Sequence, residues 1–311
     1  MQAQRALRHL SAPAARAWPS SCLTTSQARR VISSQSASKT AFPMVPRNRL
    51  PEKPRKTGLT EIRGPYYNPV GVTYLKDLLS DWGEYVDGVK FAGGSFALMP
   101  EDRLREFIET AHEHGAYVST GGFIEHLLAS SNGDRGLIEK YLKACKDVGF
   151  DVLEISTGFI SISPDDWQNL IDLTASYGLK PKPEIGIQIG AGGDASVEEL
   201  ESSGTRDVKW LTDRATKFID AGAELIMIES EGITENVRSW KTNVISGILS
   251  SVPSEKIMFE AADPAVFQYY IQNVGADVNV FVDHSQITQL ATQRRGQWGT
   301  SQSRSLLIES Y

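Results

Sequence analysis

Only two cysteines, Cys22 and Cys145, occur in 311 residues, and they lie in unrelated contexts. Neither a disulfide framework nor a thiolate metal cluster can be built from them, and a reducing compartment suits the chain. No stretch reaches the 18 or more apolar residues of a membrane span. Histidine is also scarce, at five residues, which argues against a histidine-rich zinc centre. Acidic residues are missing from the first 51 positions, which instead carry Arg5, Arg8, Arg16, Arg29, Arg30, Lys39, Arg47 and Arg49. With a whole-chain charge of -6, the remainder is distinctly acidic, so neither nucleic acid nor an anionic membrane is an expected partner. The six tryptophans are dispersed and form no base-stacking platform.

Residues 1–45 are rich in Ser, Ala and Arg and are expected to be a disordered extension or a mitochondrial presequence; without import, the protein is placed in the cytoplasm. Residues 46–300 are expected to form a single domain, with 301–311 as a tail. Eight strand-like runs recur at 59–63, 86–91, 115–120, 151–156, 184–189, 224–229, 256–260 and 277–282. Their spacing is that of a strand plus a crossover helix. Helical stripes fall between them: Leu104, Phe107, Ile108 and Ala111 over 102–114, and Leu211, Ala215, Phe218 and Ile219 over 209–221. Ser163 with Pro164 and Asp166 reads as a capped helix start, with Trp167, Leu170, Ile171 and Thr174 facing inward. Glycine precedes the next strand at Gly115, Gly149, Gly222 and Gly275. Eight β/α units in this length predict a closed α/β fold, the (β/α)8 TIM barrel. An open dinucleotide-binding sheet is disfavoured, since Gly64-Pro65 after the first strand is no GxGxxG.

In such a barrel the chemistry sits at the carboxyl ends of the strands. Those positions hold Glu61, Arg63, Lys90, Ser119, Thr120, Glu154, Ser156, Gln188, Glu229, Glu231, Glu260, Asp283 and His284. Buried charge is costly unless paired or bound to metal. The ring therefore suggests a hard divalent ion, Mg2+, on some of its carboxylates, with Lys90 and Arg63 facing a small anionic substrate. The alternative is that the acids pair with Lys and Arg or cap loops. Lys90 stands beside Gly93-Gly94, where an amine can bind phosphate, stabilise an enolate or exchange a proton. Gly93-Gly94, Gly121-Gly122 and Gly190-Ala191-Gly192-Gly193 could bring backbone amides to an anion, with Ser95, Thr120 or Ser156 adding hydroxyls; tight turns use the same residues. His284 is the one histidine at a strand end, and packing or hydrogen bonding accounts for it.

The chain resembles the phosphosulfolactate synthase family, which includes the plant heat-stress-associated 32 kDa proteins and fungal relatives. The resemblance is carried by Lys53-Pro54-Arg55, Gly58-Leu59-Thr60, the run from Tyr85 through Asp87 and Lys90 to Phe91, Gly121-Gly122, Gly149-Phe150, Glu154-Ile155-Ser156-Thr157-Gly158, Glu184-Ile185-Gly186, Glu229 and Phe259-Glu260-Ala261. It implies a magnesium-dependent barrel that adds sulfite to phosphoenolpyruvate, and a homo-oligomer, with a trimer as one form. By motif it implies a substrate-phosphate or enolate role for Lys90 and metal binding or proton transfer for Glu154, Glu229 and Glu260. Together with the strand-end reading, the expected catalytic residues are Lys90, Glu154 and Arg63, the expected metal ligands are Glu154, Glu229 and Glu260, and the expected substrate-binding residues are Ser95, Thr120, Gly121, Gly122, Ser156, Gln188, Gly192 and Gly193. Arg63 stands where archaeal members have an acid, Thr120 where a proline is common, and Ile187-Gln188 where a lysine follows. The arginine usual beyond the strand-six acid is not matched in Glu229-Ser230-Glu231. The expectation is a lyase or synthase for a small phosphorylated or carboxylated acid. A noncatalytic, stress-related interaction protein that keeps the barrel is the alternative.

Overall fold

The computed structural model describes residues 40–297, apart from 194, 205, 206 and 262. Most of the expected presequence and all of the tail at 301–311 lie outside the described residues. The chain divides into Met1–Pro43 and Met44–Tyr311, and the second unit contains the barrel. Among the described residues no helix is long and apolar enough to cross a membrane.

Eight strands form a closed, all-parallel barrel in sequence order. They are β1 (Thr60–Arg63), β2 (Gly88–Lys90), β3 (Tyr117–Ser119), β4 (Val152–Ile155), β5 (Lys180–Ile185), β6 (Ile226–Ile228), β7 (Ile257–Glu260) and β8 (Val280–Asp283). β1 closes the ring on β8, with Arg63 beside Asp283 and Glu61 beside Phe281. The connecting helices are α1 (Val72–Trp82), α2 (Glu101–Glu113), α3 (Ile124–Ser130), α4 (Arg135–Val148), α5 (Pro164–Ser176), α6 (Val197–Ser203), α7 (Val208–Asp220), α8 (Thr242–Ser251), α9 (Pro264–Asn273) and α10 (Ile287–Arg294).

The local signals behave as their chemistry requires. Ser163 caps α5 by accepting from the backbone N–H of Asp166, and Pro164 fills the first turn without losing a helical bond. Gly115, Gly149, Gly222 and Gly275 all adopt positive φ. At Gly149 the φ of 113° lets its N–H reach the last carbonyls of α4 before the chain enters β4. Leu211, Ala215 and Phe218 of α7 are buried, as are Trp167, Ile171 and Thr174 of α5.

β5 starts earlier than the expected 184–189. Pro181 and Pro183 mask it, since a proline-bearing run seldom reads as strand. The ladder with β6 begins at Glu184, beyond both prolines, so their missing donors do not interrupt it.

Two cores with different chemistry result. Outside the strands, Phe91, Phe96, Phe107 and Phe150 interlock, with ring centroids 5.1 to 5.8 Å apart. Each buried ring of this kind contributes about 1.5–3 kcal/mol. Inside the barrel, among the described residues, Met227, Met258 and Phe281 form an apolar wall. The opposite wall is ionic. Glu61 belongs to it, and at Gly88, its neighbour in register, the absence of a side chain admits the Tyr117 ring, which lies 2.3 Å from where a β-carbon would stand. Gly88→Ala should therefore displace the Tyr117 ring and lower stability by about 1–3 kcal/mol. A urea midpoint equal to that of the unaltered protein would contradict this packing.

The amino-terminal ends of the strands are closed by the segment containing Lys53 and Arg55. Arg55 pairs with Asp87 at 3.1 Å. Lys53 donates to the carbonyls of Gly83 and Val86. These members of the Lys53-Pro54-Arg55 motif thus act at the end of the barrel away from the expected chemistry.

Candidate active site

The carboxyl ends of the strands bring together side chains separated by up to 197 positions in sequence. From β1, Arg63 donates through Nη2 to Glu260 of β7 at 2.9 Å. From β2, the Lys90 ammonium meets Glu154 of β4 at 2.7 Å and Glu184 of β5 at 3.1 Å. Beyond β6, Glu229 turns back toward Glu184 and Glu260. One carboxylate oxygen from each of these three glutamates lies within 4.8 Å of the others. The rings of Tyr67 and Phe281 lie 5.0 and 5.1 Å from the Arg63 guanidinium carbon, and the Phe281 ring is 4.5 Å from the Lys90 nitrogen. Both cations are thus held against aromatic faces at the mouth.

Beneath them lies a lysine that strand-end reasoning did not single out. Lys182, inward-facing on β5, contacts both oxygens of Glu61 at 2.8 and 2.6 Å and Glu154 at 3.0 Å. Its position between Pro181 and Pro183 hid it, because the expected strand began two residues later.

The setting of Glu154 differs from that of Glu229 and Glu260. The sequence grouped Glu154, Glu229 and Glu260 as metal ligands, whereas Glu154 lies between two ammonium groups and Glu184 completes the carboxylate trio. Burial opposes ionisation of Glu154, but Lys182 and Lys90 outweigh it and hold its pKa below the ordinary value. Burial also opposes charge on Lys90, yet Glu154 and Glu184 keep the ammonium protonated, with its pKa well above the ordinary lysine range.

The trio is under-neutralised. Burial, then the charge of Glu154, pushes Glu184 up to about 8. Burial, then Glu260 and Glu184, pushes Glu229 well above the usual carboxylate range, even though it accepts the N–H of Glu231 at 2.9 Å. Among these eight side chains, five carboxylates (Glu61, Glu154, Glu184, Glu229, Glu260) face three cations (Arg63, Lys90, Lys182), so full ionisation would leave two negative charges in excess, which the raised pKa values of Glu184 and Glu229 relieve by protonation. Three converging hard oxygens that would carry two uncompensated charges on ionisation fit a divalent cation of the Mg2+ type, which would take the place of those protons.

A pH dependence follows. A carboxyl group whose pKa is raised by folding binds a proton more tightly in the native state, so its stabilising contribution is complete below about pH 4.5 and is lost as pH rises through the folded value. Without divalent cations, the denaturation midpoint should fall between pH 5.5 and 8, and Glu184→Gln should flatten that fall. A midpoint rising across this range in the unaltered protein would contradict the raised values.

The expected substrate-binding residues lie around the mouth, and most make hydrogen bonds within the protein. Ser95 donates to the Pro65 carbonyl at 2.6 Å and ties the β1 and β2 loops together. Thr120 donates to Gly121 and accepts the N–H of Glu154, at 2.9 and 3.3 Å. Ser156 donates to Glu125 at 2.7 Å. Gln188 donates to the Leu200 carbonyl at 2.6 Å. The N–H of Gly192 goes to Glu231 at 2.8 Å, and Gly193 packs near the Phe159 ring. Gly121, with φ of 61°, allows close approach to Phe91, whose carbonyl oxygen would lie 2.1 Å from a β-carbon. A β-carbon on Gly122 would meet Ser156 Oγ at 2.8 Å and lie 3.9 Å from Glu184. These residues shape the mouth by fixing its loops. His284, at the end of β8, is buried and hydrogen-bonded to Tyr74 at 2.8 Å.

Glu125, another residue the sequence did not mark, organises the β4–α5 loop. Buried at the start of α3, it accepts from Ser156 Oγ and from the N–H groups of Gly158, Phe159 and Ile160. No local pattern distinguishes it from an ordinary first-turn helical acid.

Comparison with known proteins agrees with this architecture. Residues 48–300 match the profile of the (2R)-phospho-3-sulfolactate synthase (ComA) family. The Arabidopsis thaliana protein HEAT-STRESS-ASSOCIATED 32 is 34% identical over 271 residues, covering 84% of this chain and 93% of that protein. Phosphosulfolactate synthase of Methanothermobacter thermautotrophicus is 25% identical over 251 residues, covering 78% of this chain and 91% of the relative. Among solved structures, the carboxyl transferase domain of Rhizobium etli pyruvate carboxylase, with 3-bromopyruvate, superposes with a TM-score of 0.52 at 12% identity. That alignment covers 73% of this chain and 40% of the solved one, a likeness of fold alone. The family match spans all eight strands, with Lys90, Glu184 and Glu260 on them and Glu229 just beyond β6, and by it the chain belongs to the (2R)-phospho-3-sulfolactate synthase family.

Proposed function

We propose that the protein is a phosphosulfolactate synthase-like enzyme that adds sulfite to phosphoenolpyruvate or to a closely related small phosphorylated or carboxylated acid. The observation that carries this reading is the meeting of two cations, Arg63 and Lys90, with the Glu184, Glu229 and Glu260 trio at one barrel mouth. Its reaction class is supported by the synthases among the relatives.

The chemistry asks the chain for three things. Phosphate and carboxylate charge must be held, and Arg63 and Lys90 supply fixed positive charge backed by aromatic faces. Sulfite sulfur forms a bond to the methylene carbon, the double-bond electrons move to the adjacent carbon and its carboxylate, and Lys90 opposes that developing charge. The adjacent carbon then takes a proton from water at the mouth. Glu184, Glu229 and Glu260 would hold a hard divalent cation, magnesium, whose positive charge would polarise a substrate oxygen. Glu184→Gln and Glu260→Gln should each weaken Mg2+ binding at least 10-fold by calorimetry, while Glu125→Gln should not. Equal affinities across the three variants would remove the trio from the metal site.

The function is tested by incubating the protein with phosphoenolpyruvate, sulfite and Mg2+ and following the phosphorus signal of the product by NMR. Formation of phosphosulfolactate that depends on Lys90 supports the proposal. No turnover with phosphoenolpyruvate or related acids by folded, metal-loaded protein contradicts it and favours the second reading, a noncatalytic stress-related protein. The greater identity to the Arabidopsis heat-stress-associated protein than to the archaeal synthase supports that second reading.

A further inference from the structure

We propose that Lys182 and Glu61, buried beneath the mouth, are positioning residues that fix the Lys90 ammonium where substrate charge must meet it. The inference rests on the reading of Lys90 as the group facing that charge. It goes further by assigning a purpose to two residues that cannot themselves reach the mouth.

The geometry is a continuous chain of alternating charge. Glu61 holds Lys182 at 2.6 Å, Lys182 holds one oxygen of Glu154 at 3.0 Å, and the other oxygen holds Lys90 at 2.7 Å. Lys90 then meets Glu184 at 3.1 Å. Side-chain exposures along the first four members are 0%, 3%, 0% and 8%, so water does not offer substitute partners. The opposite wall, Met227, Met258 and Phe281, provides no ionic partner. Glu154 therefore takes its orientation from Lys182 and Lys90, and Lys90 is placed by Glu154 from below together with Glu184 and the Phe281 ring at the mouth. The link crosses from β1 to β5, back to β4 and on to β2, so it ties the lysine to three other strands of the barrel.

Stability alone does not account for this arrangement. Apolar replacement of a buried ion network is often neutral or stabilising, and the facing wall is filled with Met and Phe. An ionic chain has fixed partners and directions where apolar side chains slide, so its specific contribution here is the placement of one charged atom.

The test uses the full chain with Glu61→Gln and Lys182→Met combined, which removes an opposite-charge pair and leaves the Glu154–Lys90 contact. Three quantities are measured: the urea midpoint, kcat/KM for sulfite addition to phosphoenolpyruvate, and the 15N signal of the Lys90 ammonium, assigned by its loss in Lys90→Met. Positioning predicts a midpoint near that of the unaltered protein, a displaced Lys90 signal, and kcat/KM at least 10-fold lower, mainly through kcat. A merely structural pair predicts that signal and activity return with stability. An unmoved Lys90 signal, or kcat/KM within twofold in a protein that turns over, overturns the proposal. If the double variant does not fold, Glu61→Gln alone is judged by the same displacement of the signal and a severalfold loss of kcat/KM. If the unaltered protein shows no turnover, the enzymatic reading fails, and the Lys90 signal still decides whether Lys182 and Glu61 position it.

Discussion

Lys90→Met is expected to reduce kcat/KM for sulfite addition by about 10²- to 10³-fold, the loss typical when one preorganised donor to developing negative charge is removed. The methionine preserves most of the stem but leaves Glu184 without its ammonium partner, and Glu154 with Lys182 alone. The loss should therefore appear in kcat as well as KM, since the ammonium opposes charge both in the bound acid and in the transition state. Steady-state kinetics on folded variant protein would check this. A change of less than threefold would mean that Lys90 is a structural cation, and the electrostatic role would pass to Arg63.

The second large effect is on folding. Glu154→Leu should destabilise the barrel by about 3–5 kcal/mol, because it removes the carboxylate shared by two buried ammonium groups. For a domain of this size that corresponds to a fall in Tm of about 10 °C. Glu154→Gln, which keeps the shape and leaves Glu184 for Lys90 and Glu61 for Lys182, should cost distinctly less. Equal midpoints for the two variants would show that Glu154 is not the hub of the ionic chain. The contrast also separates the two candidate roles of Glu154, since a metal ligand would affect Mg2+ affinity and a counterion would affect stability.

Most of the barrel was legible because its signals are local. The Ser163–Pro164 cap, the glycines before strands and the apolar stripes of α2 and α7 each report a nearby backbone requirement. Charged residues at strand ends likewise marked Lys90, Glu229 and Glu260, because hydrophobic strands do not ordinarily end in acids without a reason. Lys182 escaped because Pro181 and Pro183 disguise its strand. Glu184 was read as the start of a strand and within a family motif, and its place in the trio follows from β5 running from Lys180 to Ile185, which puts Glu184 near the carboxyl end. The hydrogen-bond partners of Ser95, Thr120 and Ser156 within the protein were not legible. A hydroxyl's partner is set by how the loops fold over the mouth, and these three donate to Pro65, Gly121 and Glu125. Glu125 is the clearest case, since the four hydrogen bonds that its carboxylate accepts from a distant loop leave no periodic trace in the chain.

The central claim is that distant strand tips build one metal- and anion-binding centre, and a crystal soaked with Mn2+ and phosphoenolpyruvate tests it most directly. The account predicts an anomalous peak bounded by Glu184, Glu229 and Glu260, with the substrate's anionic groups against Lys90 and Arg63. Manganese bound outside that trio, or phosphoenolpyruvate held away from both cations, would contradict it.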